Sequence, residues 1–233
     1  MTESLTLAVF GANGATGKPL VRMAAERGHR IRAIEPEWPE HPNLPAGVAP
    51  RKADVLNDDL GPLLDGVDAV VSCIGLGMTA KTALNPPPLY TKGTDRMIEG
   101  MRHAGVKRIV VISASFVATN DRGPAWFKLS ASTVLTRIFD QMGEMEHRLR
   151  QADDLDWTAV RPGWLMEGDL TRDYTVVPDV IPHDTIRTRH NDLAHFMLHC
   201  AESGDWRHAT PAIARNEPEA DNGPGAMLKA MAG

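Results

Sequence analysis

Closely spaced glycines mark the first segment that could bind a ligand. Residues 11–17 read Gly-Ala-Asn-Gly-Ala-Thr-Gly, between an apolar run at 5–10 and a helical pattern that begins near Pro19. A glycine-rich turn from a strand into a helix presents backbone N–H groups and the positive end of the helix dipole, which together bind phosphate. The spacing is a variant of the dinucleotide fingerprint. We therefore predict a diphosphate site at Gly11, Asn13, Gly14, Ala15, Thr16 and Gly17.

Each glycine has a steric role in this prediction. A side chain at Gly11 or Gly14 would obstruct the turn or the approach of the diphosphate, and one at Gly17 would push the helix off the strand. The alternative is a mononucleotide P-loop, because Gly17 is followed by Lys18. That motif needs four residues between its glycines and a Ser or Thr after the lysine. Here five residues separate Gly11 from Gly17 and Pro19 follows Lys18, which disfavours a phosphotransferase.

An acidic residue stands where a dinucleotide site reads the ribose. Glu35 ends a predicted second strand at 31–35, eighteen residues after the last glycine of the motif. A carboxylate there accepts hydrogen bonds from a 2′-hydroxyl and repels a 2′-phosphate, which favours NAD over NADP. The alternative is a solvated acid that begins a proline-rich loop. NADP also stays open, since a phosphate could be reached by Arg32, Arg51 or Lys52.

The elements around these residues alternate between strands and helices. Apolar runs at 5–10, 68–75, 108–114 and 156–162 are typical of buried parallel strands, and helical periods lie at 90–105 and 129–152. This alternation predicts an α/β fold, a Rossmann-type doubly wound parallel sheet with helices on both faces and a small C-terminal substrate lobe. We predict one NAD(P)-binding domain over residues 1–215, including the substrate loops, and a flexible tail at 216–233.

Composition restricts the class of protein. The chain has 233 residues, a net charge of −5 and no Lys/Arg-rich run, which argues against a nucleic-acid partner. Two cysteines do not make a disulfide framework, and no apolar run approaches the eighteen residues of a membrane span. We therefore expect a cytoplasmic protein. His195 and His199 have helical spacing, but a zinc site needs further ligands, so we predict no metal.

Several motifs together resemble a known family. They are the glycine segment with its strand at 9–17, then 53–55, 68–70, 104–108 and 156–163. As a set they resemble the atypical short-chain dehydrogenase/reductase family, in its NmrA-like and NAD(P)H-binding group. Two C-terminal pieces, 174–176 and 192–198, are similar to its flavin reductases of the biliverdin reductase B type. The likeness extends over residues 5 to 210 and implies an NAD(P)-binding Rossmann fold.

The resemblance also implies roles for individual residues. It implies cofactor contacts, from the adenine to the nicotinamide end, at Asp54, Val55, Ile74, Gly75, Ser113, Ala114, Pro162, Gly163 and Trp164. Asp54 and Val55 would lie beside the adenine, Ile74 and Gly75 beside the diphosphate or ribose, and Ser113 and Ala114 near the nicotinamide. Phe116 would flank the substrate. The basic residue with which the family holds a 2′-phosphate is Pro36 here, which agrees with the preference for NAD.

The usual acid/base pair of the larger superfamily is absent. No Tyr-x-x-x-Lys occurs, since neither Tyr90 nor Tyr174 has a lysine four residues on. The flavin reductases have a serine at the position that aligns with Ala114. Its neighbours Ser113 and Ser115 are therefore candidate catalytic residues that could donate a proton or orient the substrate; the alternative is a hydroxyl that caps a strand-end turn.

Further candidates lie in loops that follow the carboxyl ends of strands, where open α/β sheets bind ligands. His190 precedes a helix that we expect Asp192 to cap, beside the substrate pocket in the resemblance. It could donate to a flavin or carbonyl oxygen, or simply be exposed. Trp126 and Trp164 could stack on a planar substrate, with ordinary loop packing as the alternative.

Together these features favour an NAD(P)H-dependent oxidoreductase. It would use NAD or NADP and transfer hydride to a flavin, FMN or FAD, or to another planar acceptor, a reaction in which the cofactors carry the chemistry. The alternative is an NmrA-like regulatory or scaffold protein that binds dinucleotide without turnover. A sugar-nucleotide epimerase or dehydratase is disfavoured because it would need the Tyr/Lys pair. We expect a monomer or a small homo-oligomer.

Overall fold

A mostly parallel β-sheet forms the centre of the protein. The computed structural model describes residues 3–76, 85–118, 134–182 and 185–218. Its strands are β1 (Thr6–Phe10), β2 (Arg30–Glu35), β3 (Val48–Lys52), β4 (Ala69–Ser72), β5 (Arg108–Ile112), β6 (Asp156–Pro162), β7 (Trp164–Met166), β8 (Thr175–Pro178), β9 (Arg187–Arg189) and β10 (Pro211–Ala214). Its helices are α1 (Gly17–Glu26), α2 (Gly61–Leu64), α3 (Thr91–Ala104), α4 (Val134–Gln151) and α5 (His190–Ser203), with a 3₁₀ turn at Ser115–Val117.

Eight strands join in the order β3-β2-β1-β4-β5-β6-β10-β8. All neighbours in this sheet are parallel except β8, which is antiparallel to β10. From β1 the chain moves outward to β2 and β3, then returns to β4 on the other side of β1. The order therefore reverses between β1 and β4, which opens a crevice at their carboxyl ends. The predicted α/β, Rossmann-type fold is confirmed.

Helices cover both faces of the sheet. On one face α2, α3 and α4 contribute Leu64, Met97 and Leu149 to a buried apolar cluster. On the other face α1 and α5 pack together, and Leu20 and Leu193 are fully buried there. The central strands β1, β4 and β5 consist entirely of buried residues, which explains their unbroken apolar runs.

The C-terminal third differs in part from the expectation. Strands β8 and β10 extend the main sheet, and only β7 and β9 form a separate two-stranded sheet. Glu217 is buried and forms ion pairs with Arg189 and Arg215, so the packed part of the chain continues past residue 215. Residues 219–233 of the predicted tail lie outside the described residues. So do 129–133, the first part of the predicted helix at 129–152.

Asp192 does not cap α5, which corrects a prediction. The helix begins two residues earlier, at His190. The fully buried Asp192 carboxylate instead accepts hydrogen bonds from the N–H and hydroxyl of Thr171, both at 2.8 Å, and from the N–H of Arg172 at 3.0 Å. It therefore fixes the long connection after β7 to the start of α5.

A buried arginine holds the far end of α5. The Arg108 guanidinium donates to the carbonyl oxygens of Cys200 at 2.8 Å, Asp156 at 2.8 Å and Asp205 at 3.1 Å. The carbonyl groups at the end of a helix have no partner within the helix, and burial makes an unpaired one costly. Arg108 therefore connects β5 and β6 to the last turn of α5.

We predict that Arg108→Met lowers the free energy of unfolding by about 3 kcal/mol, because it removes three hydrogen bonds from a buried, charged donor and leaves the Cys200 carbonyl oxygen with only the N–H of Gly204. Urea denaturation measures the change. The matched control is Arg102→Met, which removes an exposed ion pair with Asp154 and should cost less than about 1 kcal/mol. Equal effects of the two substitutions would contradict the structural role of Arg108.

Candidate functional site

The glycine-rich segment connects β1 to α1 at the carboxyl edge of the sheet. Gly11 has φ +69°, and a Cβ there would lie 2.7 Å from the carbonyl oxygen of Cys73. Its N–H donates to the carbonyl oxygen of Ile34, and the N–H of Gly14 donates to the carbonyl oxygen of Gly11, both at 3.1 Å. Both the left-handed conformation and the close approach to the end of β4 therefore require glycine at position 11.

Gly17 is the first residue of α1 and lies directly against the preceding loop. A Cβ on Gly17 would lie 2.0 Å from the carbonyl oxygen of Gly11 and 2.8 Å from Cα of Ala12. Both are backbone atoms, which cannot rotate away. A side chain here would thus collide with the loop itself, which refines the predicted steric role of this glycine.

The same loop carries unpaired donors. Within the described residues, the backbone N–H groups of Ala15 and Thr16 have no hydrogen-bond acceptor. They lie at the N-terminal end of α1, where the helix dipole is positive. Unpaired N–H groups at a helix N-terminus are the usual components of a phosphate site.

A cavity of about 350 Å³ lies beside the carboxyl ends of β1 and β2, and we call it the Glu35-side cavity. The predicted residues Glu35, Asp54 and Val55 line it together with Pro36. Among the described residues of its lining two are acidic and none is basic. The local charge therefore disfavours an additional phosphate group.

None of the basic residues that could have reached a 2′-phosphate lines this cavity. Arg32 donates to the carbonyl oxygen of Leu63 at 2.7 Å, and Arg51 and Lys52 are exposed on β3 outside the lining. Glu35 itself accepts the N–H of Asn13 at 2.5 Å. Burial raises the pKa of Glu35, although the Asn13 N–H and the nearby Lys18 oppose the shift.

A second cavity of about 420 Å³ lies beside the carboxyl ends of β4, β5 and β6, and we call it the Ser113-side cavity. Predicted residues that line it are Ala15, Thr16, Ile74, Gly75, Ser113, Ala114, Phe116, Pro162, Gly163, Trp164 and His190. Its aromatic side chains contact one another: the ring centroid of Phe116 lies 5.5 Å from that of Phe139 and 5.7 Å from that of Trp164. The cavity thus has an apolar, aromatic wall suited to a flat ring.

The two cavities adjoin beside the glycine-rich loop. Gly14, Cys73, Ile74 and Gly75 belong to the linings of both. Together the cavities form one groove that crosses the sheet at the reversal between β1 and β4. The glycine-rich loop lies at their junction: Gly14 lines both cavities, and Ala15 and Thr16, which carry the unpaired N–H groups, line the Ser113-side cavity next to it.

The Ser113 hydroxyl is hydrogen-bonded to a buried carboxylate, that of Glu146. Ser113 Oγ donates to Glu146 Oε1 at 2.7 Å, and Glu146 is 1% exposed. Arg161 donates to both oxygens of Glu146 at 2.8 and 2.6 Å, and Arg150 donates to Oε2 at 3.0 Å. Glu146 and Arg161 were missed by sequence reasoning. A signal was present, because Glu146 lies on the same helical face as the buried Met142 and Leu149.

Two of the three catalytic candidates have other partners. Ser115 is fully buried, donates to the carbonyl oxygen of Arg161 at 2.9 Å and is not among the residues that line either cavity. The proton of Ser113 is directed to Glu146. Both serine protons thus have acceptors within the protein, and of the two serines only Ser113 lines a cavity; a role in orienting the substrate stays a prediction.

His190 lines the Ser113-side cavity and connects it to the glycine-rich loop. Its Nδ1 lies 2.8 Å from Oγ1 of Thr16. Burial lowers the pKa of His190, with Glu167 opposing the shift. The neutral imidazole is the favoured form at neutral pH, so this side chain can form hydrogen bonds but is a weak base.

The remaining candidates are placed as follows. His195 Nδ1 lies 2.7 Å from the hydroxyl of Tyr174, and His199 faces Asp205. Among the described residues no three His, Cys, Asp or Glu side chains are grouped as metal ligands would be. None of the described helices is long and apolar enough to cross a bilayer. Trp126, a predicted stacking residue, lies outside the described residues.

A sequence model of an NAD(P)H-binding family matches residues 11–204, which include the glycine-rich loop, both cavities and α5. The chain belongs to the NAD(P)H-binding family. This agrees with the resemblance at that level.

Solved structures of the same fold support the assignment of the architecture. The oxidoreductase ylbE from Lactococcus lactis is 19% identical, with a TM-score of 0.76, over 97% of this chain and 95% of that chain. A candidate NADH-flavin reductase from Streptococcus pneumoniae is 22% identical, with a TM-score of 0.72, over 91% and 100%. A candidate NAD-dependent epimerase/dehydratase from Bacillus halodurans is 21% identical, with a TM-score of 0.75, over 94% and 98%. At these identities the likeness establishes the fold.

We predict that Gly17→Ala raises the dissociation constant for NADH at least about tenfold, because the new Cβ displaces the backbone of the loop that carries the unpaired N–H groups. Quenching of NADH fluorescence measures the constant. Gly143→Ala is the matched control, since a Cβ there meets Val117 at an ordinary 3.5 Å. An unchanged constant in Gly17→Ala would refute the steric role of this glycine.

Proposed function

We propose that the protein is an NAD(P)H-dependent oxidoreductase that transfers hydride to a flavin or another planar acceptor. The observation that carries this proposal is the groove, in which an aromatic chamber adjoins a phosphate-binding loop. A dinucleotide has a diphosphate between two nucleosides, and the groove has the glycine-rich loop at the junction of its two chambers, where Gly14 lines both. The residues present therefore fit such a cofactor.

The predicted contacts divide between the two chambers. The adenosine half would be held by Glu35, Asp54 and Val55, and the nicotinamide half by Ser113, Ala114 and the segment Pro162, Gly163 and Trp164. Bound NADH or NADPH supplies a hydride. This chain supplies orientation, through the rigid ends of β4, β5 and β6, and an apolar wall that excludes water.

The site places few demands on acid/base chemistry. Ser113 donates its hydrogen bond to Glu146, and burial lowers the pKa of His190, which favours its neutral form. A flavin accepts hydride with little help from protein acids, because its own ring system delocalises the charge. The same scarcity of acid/base pairs, with no Tyr-x-x-x-Lys in the sequence, argues against a carbonyl or sugar-nucleotide substrate that needs a Tyr/Lys pair.

That scarcity also favours a second candidate. A dinucleotide-binding regulator or scaffold, as in NmrA-like proteins, needs the glycine-rich loop and both chambers but no catalytic acid. Such a protein would bind the cofactor without oxidising it. The aromatic wall beside Phe116 is the feature that favours a planar substrate over this alternative.

The test is NADH oxidation by the purified protein with FMN, followed at the nicotinamide absorbance. We expect NADH to bind with fluorescence quenching and to be oxidised only when FMN is present. A protein that binds NADH but oxidises neither NADH nor NADPH with FMN is the second candidate. A protein that binds neither cofactor would disprove both proposals.

We further propose that NAD(H) is preferred over NADP(H), because both charged groups of the Glu35-side cavity are acidic. Glu35→Arg should shift the ratio of NADPH to NADH affinity toward NADPH by at least about tenfold, since it replaces repulsion of a 2′-phosphate by attraction. Equilibrium titrations of both cofactors measure this ratio without requiring turnover.

Two further variants control this test. Glu35→Gln keeps an acceptor for the Asn13 N–H but removes the charge, so its ratio should lie between those of the wild type and Glu35→Arg. Glu37→Arg makes the same change in charge on an exposed residue outside the cavity. An equal shift in Glu37→Arg would attribute the effect to net charge and remove Glu35 from the preference.

A further inference from the structure

Ser113 offers an acceptor to the Ser113-side cavity. Glu146 receives three hydrogen bonds from the guanidinium groups of Arg150 and Arg161, which can only donate. A carboxylate paired with two arginines is itself only an acceptor, so the fourth bond must use the proton of Ser113. The lone pairs of the Ser113 oxygen remain for a ligand that carries an N–H or O–H group.

Tyr90 offers a hydrogen-bond donor to the same cavity. It lies directly before α3, is 5% exposed and lines the same cavity. Its oxygen accepts the N–H of Leu76 at 3.3 Å, and its own proton has no acceptor in the part of the chain that the structure describes. Buried polar groups are almost always paired, so an unpaired hydroxyl proton in a cavity is suited to a ligand oxygen. Burial also raises the pKa of Tyr90, which keeps the proton in place at neutral pH.

We propose that Ser113 and Tyr90 select planar acceptors that carry both a ring N–H and a carbonyl oxygen. Ser113 accepts from the N–H, and Tyr90 donates to the carbonyl. This inference rests on the proposed function, because it names the substrate class of the same cavity. An isoalloxazine or pteridine ring has such a lactam edge. A quinone has only carbonyl groups and would leave Ser113 without a donor.

The aromatic wall supplies the other half of this recognition. Phe116 and Trp164 line the cavity with Ser113 and Tyr90, and their rings contact each other edge to face. Stacking is nearly independent of which polar groups a flat ring carries. Selection among flat rings therefore depends on the polar side chains of the lining, among which Ser113 supplies an acceptor and Tyr90 a donor, while Nδ1 of His190 is bound by Thr16.

The test compares lumiflavin with 3-methyllumiflavin. In the second compound a methyl group replaces the hydrogen of the ring N–H, and both neighbouring carbonyl groups are kept. The wild type should oxidise NADH with a kcat/KM at least about tenfold higher for lumiflavin, because a site built for a hydrogen bond rejects the analogue that lacks it. In Ser113→Ala the ratio of the lumiflavin value to the 3-methyllumiflavin value should fall to about one, because a change in NADH binding affects both values equally and only the ratio reports the ring N–H. Tyr90→Phe should lower both values by the same factor and leave their ratio intact.

Tyr174→Phe is the matched control, because this other tyrosine binds His195 and lies outside both cavities. It should change neither kcat/KM value. The dissociation constant for NADH should be unchanged in Tyr90→Phe; a parallel loss of NADH affinity would show that Tyr90 only positions Leu76, which would overturn its assigned role. Equal use of the two flavins by the wild type, or discrimination that survives Ser113→Ala, would overturn the role of Ser113.

Failure of this inference can be separated from failure of the proposed function. If the wild type oxidises NADH with neither flavin, the oxidoreductase proposal fails. Quenching of flavin fluorescence then measures the dissociation constants of the two flavins in the NAD-bound protein, which tests Ser113 and Tyr90 without turnover. A tenfold preference for lumiflavin in the dissociation constant would support the inference, and equal constants or no binding would overturn it.

Discussion

The first residue of α1 touches the carbonyl oxygen at the start of its own loop, and the cofactor site depends on this contact. At Gly17 there is no space for a single carbon atom, since a Cβ would lie 2.0 Å from the oxygen of Gly11. The helix can therefore begin at the edge of the sheet, with its N-terminus at the reversal between β1 and β4. Any side chain there would move the helix end away from the crevice and weaken its attraction for an anion.

The polarity of the Ser113-side cavity depends on the buried carboxylate of Glu146. Glu146 is held by Arg161, Arg150 and Ser113, and all four of its hydrogen bonds are made inside the protein. A carboxylate is tolerated at such depth only when it is paired and fully hydrogen-bonded. Because the Ser113 proton is donated to Glu146, the Ser113 hydroxyl can act toward a ligand only as an acceptor. A network that stabilises the core thus also sets the polarity of the site.

Local patterns were sufficient for the fold and for one end of the groove. The glycine spacing, the apolar strands and the position of Glu35 at the end of β2 all depend on residues close together in the chain. The errors concern side chains whose partners are distant. Asp192 was expected to cap its own helix but binds Thr171, and Ser115 binds the backbone of Arg161. Nothing in the spacing of such residues reveals which of several possible partners packing will bring near.

The sequence by itself determined the glycine-rich turn, because the need for glycine is a property of the local backbone. It also determined the parallel sheet, because burial on both faces leaves an apolar run. Only the tertiary structure decided the chemistry of the Ser113-side cavity. Ser113 and Glu146 come from different elements, as do Tyr90 and Leu76. A hydroxyl becomes a donor or an acceptor according to its neighbours, and those neighbours are chosen by packing.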